Sequence, residues 1–210
     1  MPHALIQKYR QQLLQLDHTR KRMELLYGKG QLALRDIHAV YESLFLRAVV
    51  GFELYCDTLF HQILVRDICY SKSRVACRIT TGSKRAIRDI VSRNGKDQYI
   101  TWLPYDRAEA TAEIYLKDGR PFTDVDSSQK GMLTKIVAIR HAIAHSSDKS
   151  RLDFQSKVIS SLPLLMRERT PAAFLRSAHS GTPPLTRFET YVASLRDIAV
   201  TIMGTPIAAK

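Results

Sequence analysis

Residues 31–69 run for about forty positions without a proline, with Gly51 as the one glycine, and are dense in leucine, alanine, valine and phenylalanine. Proline removes a backbone donor and clashes with the preceding turn, so its absence over such a length permits unbroken helix. The stretch reads as one very long helix or two in line. No other segment alternates apolar and polar residues long enough to build a sheet. The expected class is all-α, a helical bundle with long N-terminal helices and additional short ones.

The rest of the chain divides at its turn residues. Leu5, Tyr9, Leu13, Leu16 and Met23 recur at three- to four-residue steps, which predicts an amphipathic helix over 5–26, ended by the "GKG" at 28–30. Residues 70–102 are rich in Ser, Thr, Gly, Lys and Arg, with a short helical piece over 83–91 for which Ser83 can serve as N-cap. Asp106 can cap a helix reaching Leu116, and "KDGRPFTDVDSSQKG" comes next as a polar connection. Further helices are expected over about 127–145, over 152–162, from "TPAAFLRSAH" with Thr170 as N-cap, and over 185–203. Residues 1–210 are read as a single domain.

Charge narrows the partners. With 32 Lys and Arg against 20 Asp and Glu the formal charge is +12, a field that favours polyanions such as nucleic acid. The start is interrupted by charges and glutamines and lacks a signal-type apolar core, and no later run reaches the ~18 apolar residues of a membrane span. Cys56, Cys69 and Cys77 are odd in number and lack C-x-x-C spacing, which argues against a disulfide framework and a self-contained zinc motif. A cytoplasmic protein without membrane attachment is the expectation.

The segment "IVAIRHAIAHSS" at 136–147 carries one arginine and two histidines at the end of an apolar helix. Met132, Ile136, Ile139 and Ile143 fall on one helical face, and His145 lies about 140° further round than Arg140. A single ideal helix therefore does not aim both at one point; unwinding at "AHSS", a reaching arginine, or a second copy across a twofold axis would join them. Cations at a helix end also meet the carbonyl dipole favourably, so a purely structural role is the alternative. His141 and His145 have the H-x-x-x-H spacing of zinc ligands, but Ala142 stands where a metalloprotease has glutamate, and no third ligand lies near in sequence. No metal and no cofactor are expected.

"RHAIAH" resembles the R-x(4-6)-H motif of the HEPN superfamily (higher eukaryotes and prokaryotes nucleotide-binding domains), and His141 directly after the arginine is similar to the polar residue many members hold there. The order of helices is similar too: a long helix with "RAVVGFELYCDTLFHQIL", then the motif helix, then the closing segment from "TPAAFLRSAH" onward. The resemblance implies a metal-independent endoribonuclease, homodimeric, with the motifs of both protomers lining one cleft. It further implies a toxin or antiphage defence effector, which an antitoxin or regulatory protein would restrain. Metal-free RNA cleavage needs a base for the 2′-hydroxyl, an acid for the leaving 5′-oxygen and a cation on the phosphorane. Histidine can take either proton-transfer role, and arginine offers phosphate a planar fork. The resemblance thereby implies His145 for proton transfer, Arg140 for the scissile phosphate, and His141 beside them.

Glu53, Asp57 and His61 share a face of the long helix. By the resemblance Glu53 orients Arg140 or a histidine; otherwise the three form a solvated stripe. For RNA contact, Lys84, Arg85, Arg88 and Arg93 gather near loops, with Tyr99 and Trp102 close behind as base-stacking platforms. The alternative is a solvated basic surface with its aromatics in the core. Two other function classes remain open: a non-catalytic HEPN-like module that binds RNA, a nucleotide or a protein, and a helical subunit docked by charge on a nucleoprotein assembly.

Overall fold

The computed structural model describes residues 2–65, 69–70, 73–74, 77–78, 85–86, 101–145, 147–179 and 184–204. Among them are seven α-helices: α1 (Pro2–Gly28), α2 (Leu34–Leu64), α3 (Tyr105–Tyr115), α4 (Ser127–Ala144), α5 (Asp148–Phe154), α6 (Pro171–Arg176) and α7 (Arg187–Met203). The regular extended structure among them is one antiparallel pair, β1 (Cys69–Tyr70) and β2 (Ser73–Arg74), with Cys69 opposite Arg74. The fold is all-α.

The proline-free run forms a single helix, α2, about 46 Å long at 1.5 Å per residue. It starts where the Asp36 carboxylate accepts from the backbone N–H of Ala33 at 3.1 Å. Gly51 does not break it. A Cβ there would lie 2.7 Å from the Gln12 side-chain nitrogen, so the glycine leaves room for α1 to lay that amide against α2.

The chain gathers into two compact units. The first comprises Met1–Tyr9, Phe52–Lys130 and Asp197–Lys210. Its core includes Phe52, Tyr55, Cys56, Leu59 and Phe60 from α2, with Ala108 and Ala112 from α3 and Ile198 and Ile202 from α7. Phe60 is ringed edge-on by Trp102, Tyr115 and Phe122, and Trp102 stacks on Phe122 at 5.3 Å. The Tyr105 hydroxyl donates to the Phe122 carbonyl at 2.9 Å, and that of Tyr55 to the Ala199 carbonyl at 2.7 Å.

Two expectations change here. Asp106 lies inside the first turn of α3 and does not cap it; Pro104 holds the N-cap position, with no side-chain hydrogen bond. A carboxylate in a first turn still meets the positive end of the helix dipole, which is why Asp106 looks like a cap in sequence. The connection after α3 is more than polar: Phe122 and Val125 are buried, and the chain turns through the short 3-10 segments Lys117–Gly119 and Phe122–Asp124.

The second unit comprises Arg10–Gly51 and Gly131–Arg196. Its apolar core joins Leu13 and Leu16 of α1, Tyr41 and Phe45 of α2, Leu133 and Ile136 of α4, Phe154 of α5, Phe174 of α6 and Phe188 and Tyr191 of α7. Rings meet edge-on at Tyr41–Phe188, Phe45–Tyr191 and Phe154–Phe174. After Phe154 the chain widens into a π-helical turn, Gln155–Ile159, where the Ser160 N–H reaches the Gln155 carbonyl at 2.9 Å.

Within this core Arg20 is only 5% exposed. Its guanidinium donates to Asp17 at 3.0 and 2.8 Å, to Glu189 at 2.5 Å and to the Tyr41 hydroxyl at 3.4 Å. Tyr41 in turn donates to Glu24 at 2.8 Å, and Glu24 takes two more bonds from Arg176, at 2.9 and 3.1 Å. Arg176 also lies over the Tyr27 ring, 4.4 Å from its centre. Burial would raise the Glu24 carboxyl, but the bonds from Arg176 and Tyr41 outweigh it and hold that group below its ordinary range. Asp17 is lowered in the same way, its burial outweighed by Lys21 and Arg20.

Removing one partner of a buried ion pair strands the other charge. Arg20→Ala is expected to lower unfolding stability by about 3 kcal/mol or more, as measured by urea denaturation. Glu189→Gln, which keeps shape and loses charge, should cost less.

His38 on α2 is held below its ordinary value by burial and the Arg176 charge, against the pull of Glu24. His141 shifts the same way. The unfolded chain then binds more protons than the folded one once pH drops below about 6.5, so stability falls on acidification through that value. A further loss comes below about pH 4.5 as Glu24 and Asp17 protonate, opposed by Glu42, whose carboxyl burial raises. Thermal melts should show Tm declining between about pH 7 and 5.5, and His38→Asn should flatten that slope.

Candidate functional site

The motif helix α4 changes character along its length. Its first turns are half-exposed, but residues 136–139, "IVAI", are all buried, so the helix is enclosed on every side there. Ile136 and Ile139 of the expected stripe are core, while Met132 and Ile143 are half-buried. Past Ile139 the helix emerges, with Arg140 and His141 half-buried and His145 exposed. The enclosed turn anchors the polar residues beyond it.

His145 stands one residue beyond the end of α4, yet its N–H still donates to the His141 carbonyl at 2.9 Å. That last helical bond keeps the two side chains one turn apart on one side, and their rings lie 5.7 Å apart between centres, tilted by 58°. The structure thus brings His141 and His145 together. Arg140, whose charge acts on His141, has no ion-pair partner among the described residues, and with the helical bond kept to His145 it stays about 140° round the axis from that residue.

The residues after the motif fix its exit. Ser147 caps α5, its hydroxyl accepting from the Ser150 N–H at 3.3 Å. The Ser150 hydroxyl is buried and spans the turn, in contact with the Ser147 hydroxyl at 2.6 Å and donating toward the carbonyls of His145 and Ser147, both at 3.0 Å. Further along α5, Asp153 pairs with Lys157 at 2.9 Å. Ser150 passes unnoticed in the sequence; its signal is the Ser-x-x-Ser spacing at a helix start, which marks a cap but does not say which carbonyl the second serine meets.

Electrostatics at His141 set it apart from a helix-end cation. A charged histidine there would gain from the dipole. Instead burial, then the nearby charges of Arg140 and His145, with a smaller push from Lys157, hold its imidazole below the ordinary value, against the pull of Asp153. His141 is therefore neutral at pH 7, with a lone pair to offer.

Glu53 is half-buried on α2 and belongs to the first unit, whereas the motif belongs to the second. Its stripe-mates have structural work: Asp57 accepts from the Trp102 indole N–H at 3.2 Å, and His61 Nδ1 lies 2.8 Å from the Asp57 carbonyl. Trp102 is buried between Phe60 and Phe122, which corrects its reading as a base-stacking platform: an indole with its N–H satisfied inside a ring cluster presents no free face. Arg85 is exposed. Lys84, Arg88, Arg93 and Tyr99 lie outside the described residues.

Comparison of the chain with protein-family models, curated proteins and solved structures finds no match. The capability of this helix end is read from its own side chains. No group of three or more His, Cys, Asp or Glu side chains among the described residues could hold a metal ion, so His141 and His145 gain no third ligand there. Likewise, no helix among them is long and apolar enough to cross a membrane.

If Ser150 fixes the turn, Ser150→Ala should unpin the His145 carbonyl and destabilise the chain by about 1–2 kcal/mol, with faster amide exchange confined to the start of α5. Uniform exchange rates in the variant would show the hydroxyl to be dispensable.

Proposed function

We propose that the protein is a metal-independent endoribonuclease of HEPN type. The observation that carries this reading is the end of α4: a half-buried arginine without an ion-pair partner among the described residues, followed in the chain by two histidines whose rings lie 5.7 Å apart. Arg140 binds the scissile phosphate, for which a guanidinium fork is suited. A histidine moves the 2′-hydroxyl proton, and the product is a 2′,3′-cyclic phosphate. A net charge of +12 supports an RNA partner.

The proposal extends to a homodimer in which two copies of the motif share a cleft, and to a cytoplasmic effector of toxin or antiphage type held in check by an antitoxin or regulatory protein. These rest on the resemblance of "RHAIAH" and the order of helices to the HEPN superfamily.

Incubating the protein with total cellular RNA in excess chelator tests the core of this reading. Cleavage should persist in chelator, leave 2′-deoxy substrate intact, and fall by about 10²-fold or more in Arg140→Ala and His145→Ala variants of unchanged circular dichroism. Salt-sensitive RNA binding without cleavage, unaffected by either substitution, would instead favour the non-catalytic binding module.

A further inference from the structure

We infer that His141 and His145 of one protomer form a complete base and acid pair, His141 taking the proton from the 2′-hydroxyl and His145 giving one to the 5′-oxygen. This inference rests on the ribonuclease reading and deepens it. Cleavage of RNA without a metal needs two proton transfers, one to a base and one from an acid. Here two rings stand 5.7 Å apart on consecutive turns, joined through the His145 N–H to His141 carbonyl bond, with the backbone of the second pinned by Ser150. Their surroundings differ as the two roles require. His141 is half-buried beside Arg140, while His145 stands exposed.

The charged groups around His141 are Arg140 and His145 from its own segment, Asp153 from α5 and Lys157 from the π-helical turn after it, with Lys149 acting on Asp153. Burial and the cations disfavour a proton on His141. The step starts from a neutral base at 141 and a protonated acid at 145.

The step balances. As the 2′-oxygen bonds to phosphorus, its proton passes to the free ring nitrogen of His141. The bond from phosphorus to the 5′-oxygen breaks, and that oxygen takes the proton of His145. The products are a 2′,3′-cyclic phosphate and a 5′-hydroxyl end, with His141 charged and His145 neutral. Exchange with water restores the pair. Arg140 faces the extra negative charge on phosphorus during the step.

An RNA carrying sulfur in place of the bridging 5′-oxygen separates the two roles, because a thiolate leaves without a proton. On ordinary RNA both His141→Ala and His145→Ala should lose about 10²-fold or more in rate. On the sulfur substrate His145→Ala should recover to near the wild-type rate while His141→Ala stays impaired. His141→Asn, which keeps polarity and size, should behave as His141→Ala does and guards against a folding defect. The wild-type pH profile should be bell-shaped on ordinary RNA and lose its alkaline limb on the sulfur substrate.

Cleavage of ordinary RNA by both His141 variants at the wild-type rate overturns the pair and leaves the ribonuclease reading standing. So does rescue of His141→Ala by sulfur in place of His145→Ala. Wild-type protein that cuts neither substrate overturns the ribonuclease reading itself, and the pair with it.

Discussion

A guanidinium buried in a core must be surrounded by acceptors or it will not stay there, and much of the second unit is arranged around meeting that demand at Arg20. Asp17 and Glu24 from α1, Tyr41 from α2, Arg176 from α6 and Glu189 from α7 form one chain of hydrogen bonds with it. Apolar packing tolerates small slides of one helix along another; this chain does not, because each member has partners only at one register. Glu189 is itself held by the backbone N–H and hydroxyl of Thr186, both at 2.8 Å, so the entry to α7 is set by the same device. The network gives the unit a fixed arrangement of four helices.

Rigidity of another kind serves α4. Four consecutive buried residues, 136–139, leave no free face for the helix to roll on, and the polar residues come at once after them. Ser150 then fastens the outgoing chain from the far side of the turn. The two histidines thus sit between an anchored helix and a capped one, the kind of support that holds a side-chain constellation to a small tolerance. Helix ends usually fray, and this one is restrained on both flanks.

How much of this was legible depended on the kind of interaction. Helix positions were open to reading because they derive from proline, glycine and a 3.6-residue period: α2 occupies Leu34–Leu64 within the proline-free run, and α1 buries Tyr9, Leu13 and Leu16 as spaced. The next position in that stripe is residue 20, an arginine, and a hydrophobic pattern skips it even though it is buried; only its tertiary partners, some far away in sequence, make it a core residue. For Trp102 the sequence left two settings open, a base-stacking surface or the core, and Phe122 lay unremarked in a stretch read as a polar connection. Phe122 sits among turn and polar residues, and a lone aromatic in such a setting carries no sign of whether it meets a ring cluster or water. At the motif, Arg140, His141 and His145 were named from their pattern, but the lowered pKa of His141 comes first from burial, which no local spacing encodes.

The chain has a single tryptophan, and its place in the Phe60 and Phe122 cluster gives it a use beyond packing. Its indole is dry, hydrogen-bonded to Asp57 and set among residues of the first unit, so its emission reports the integrity of that unit alone. The motif and the Arg20 network both belong to the second unit. Tryptophan fluorescence and far-ultraviolet dichroism therefore watch different parts of the molecule, one a single cluster and the other every helix. Whether their transitions coincide distinguishes a protein that melts as one cooperative body from one that melts in two stages.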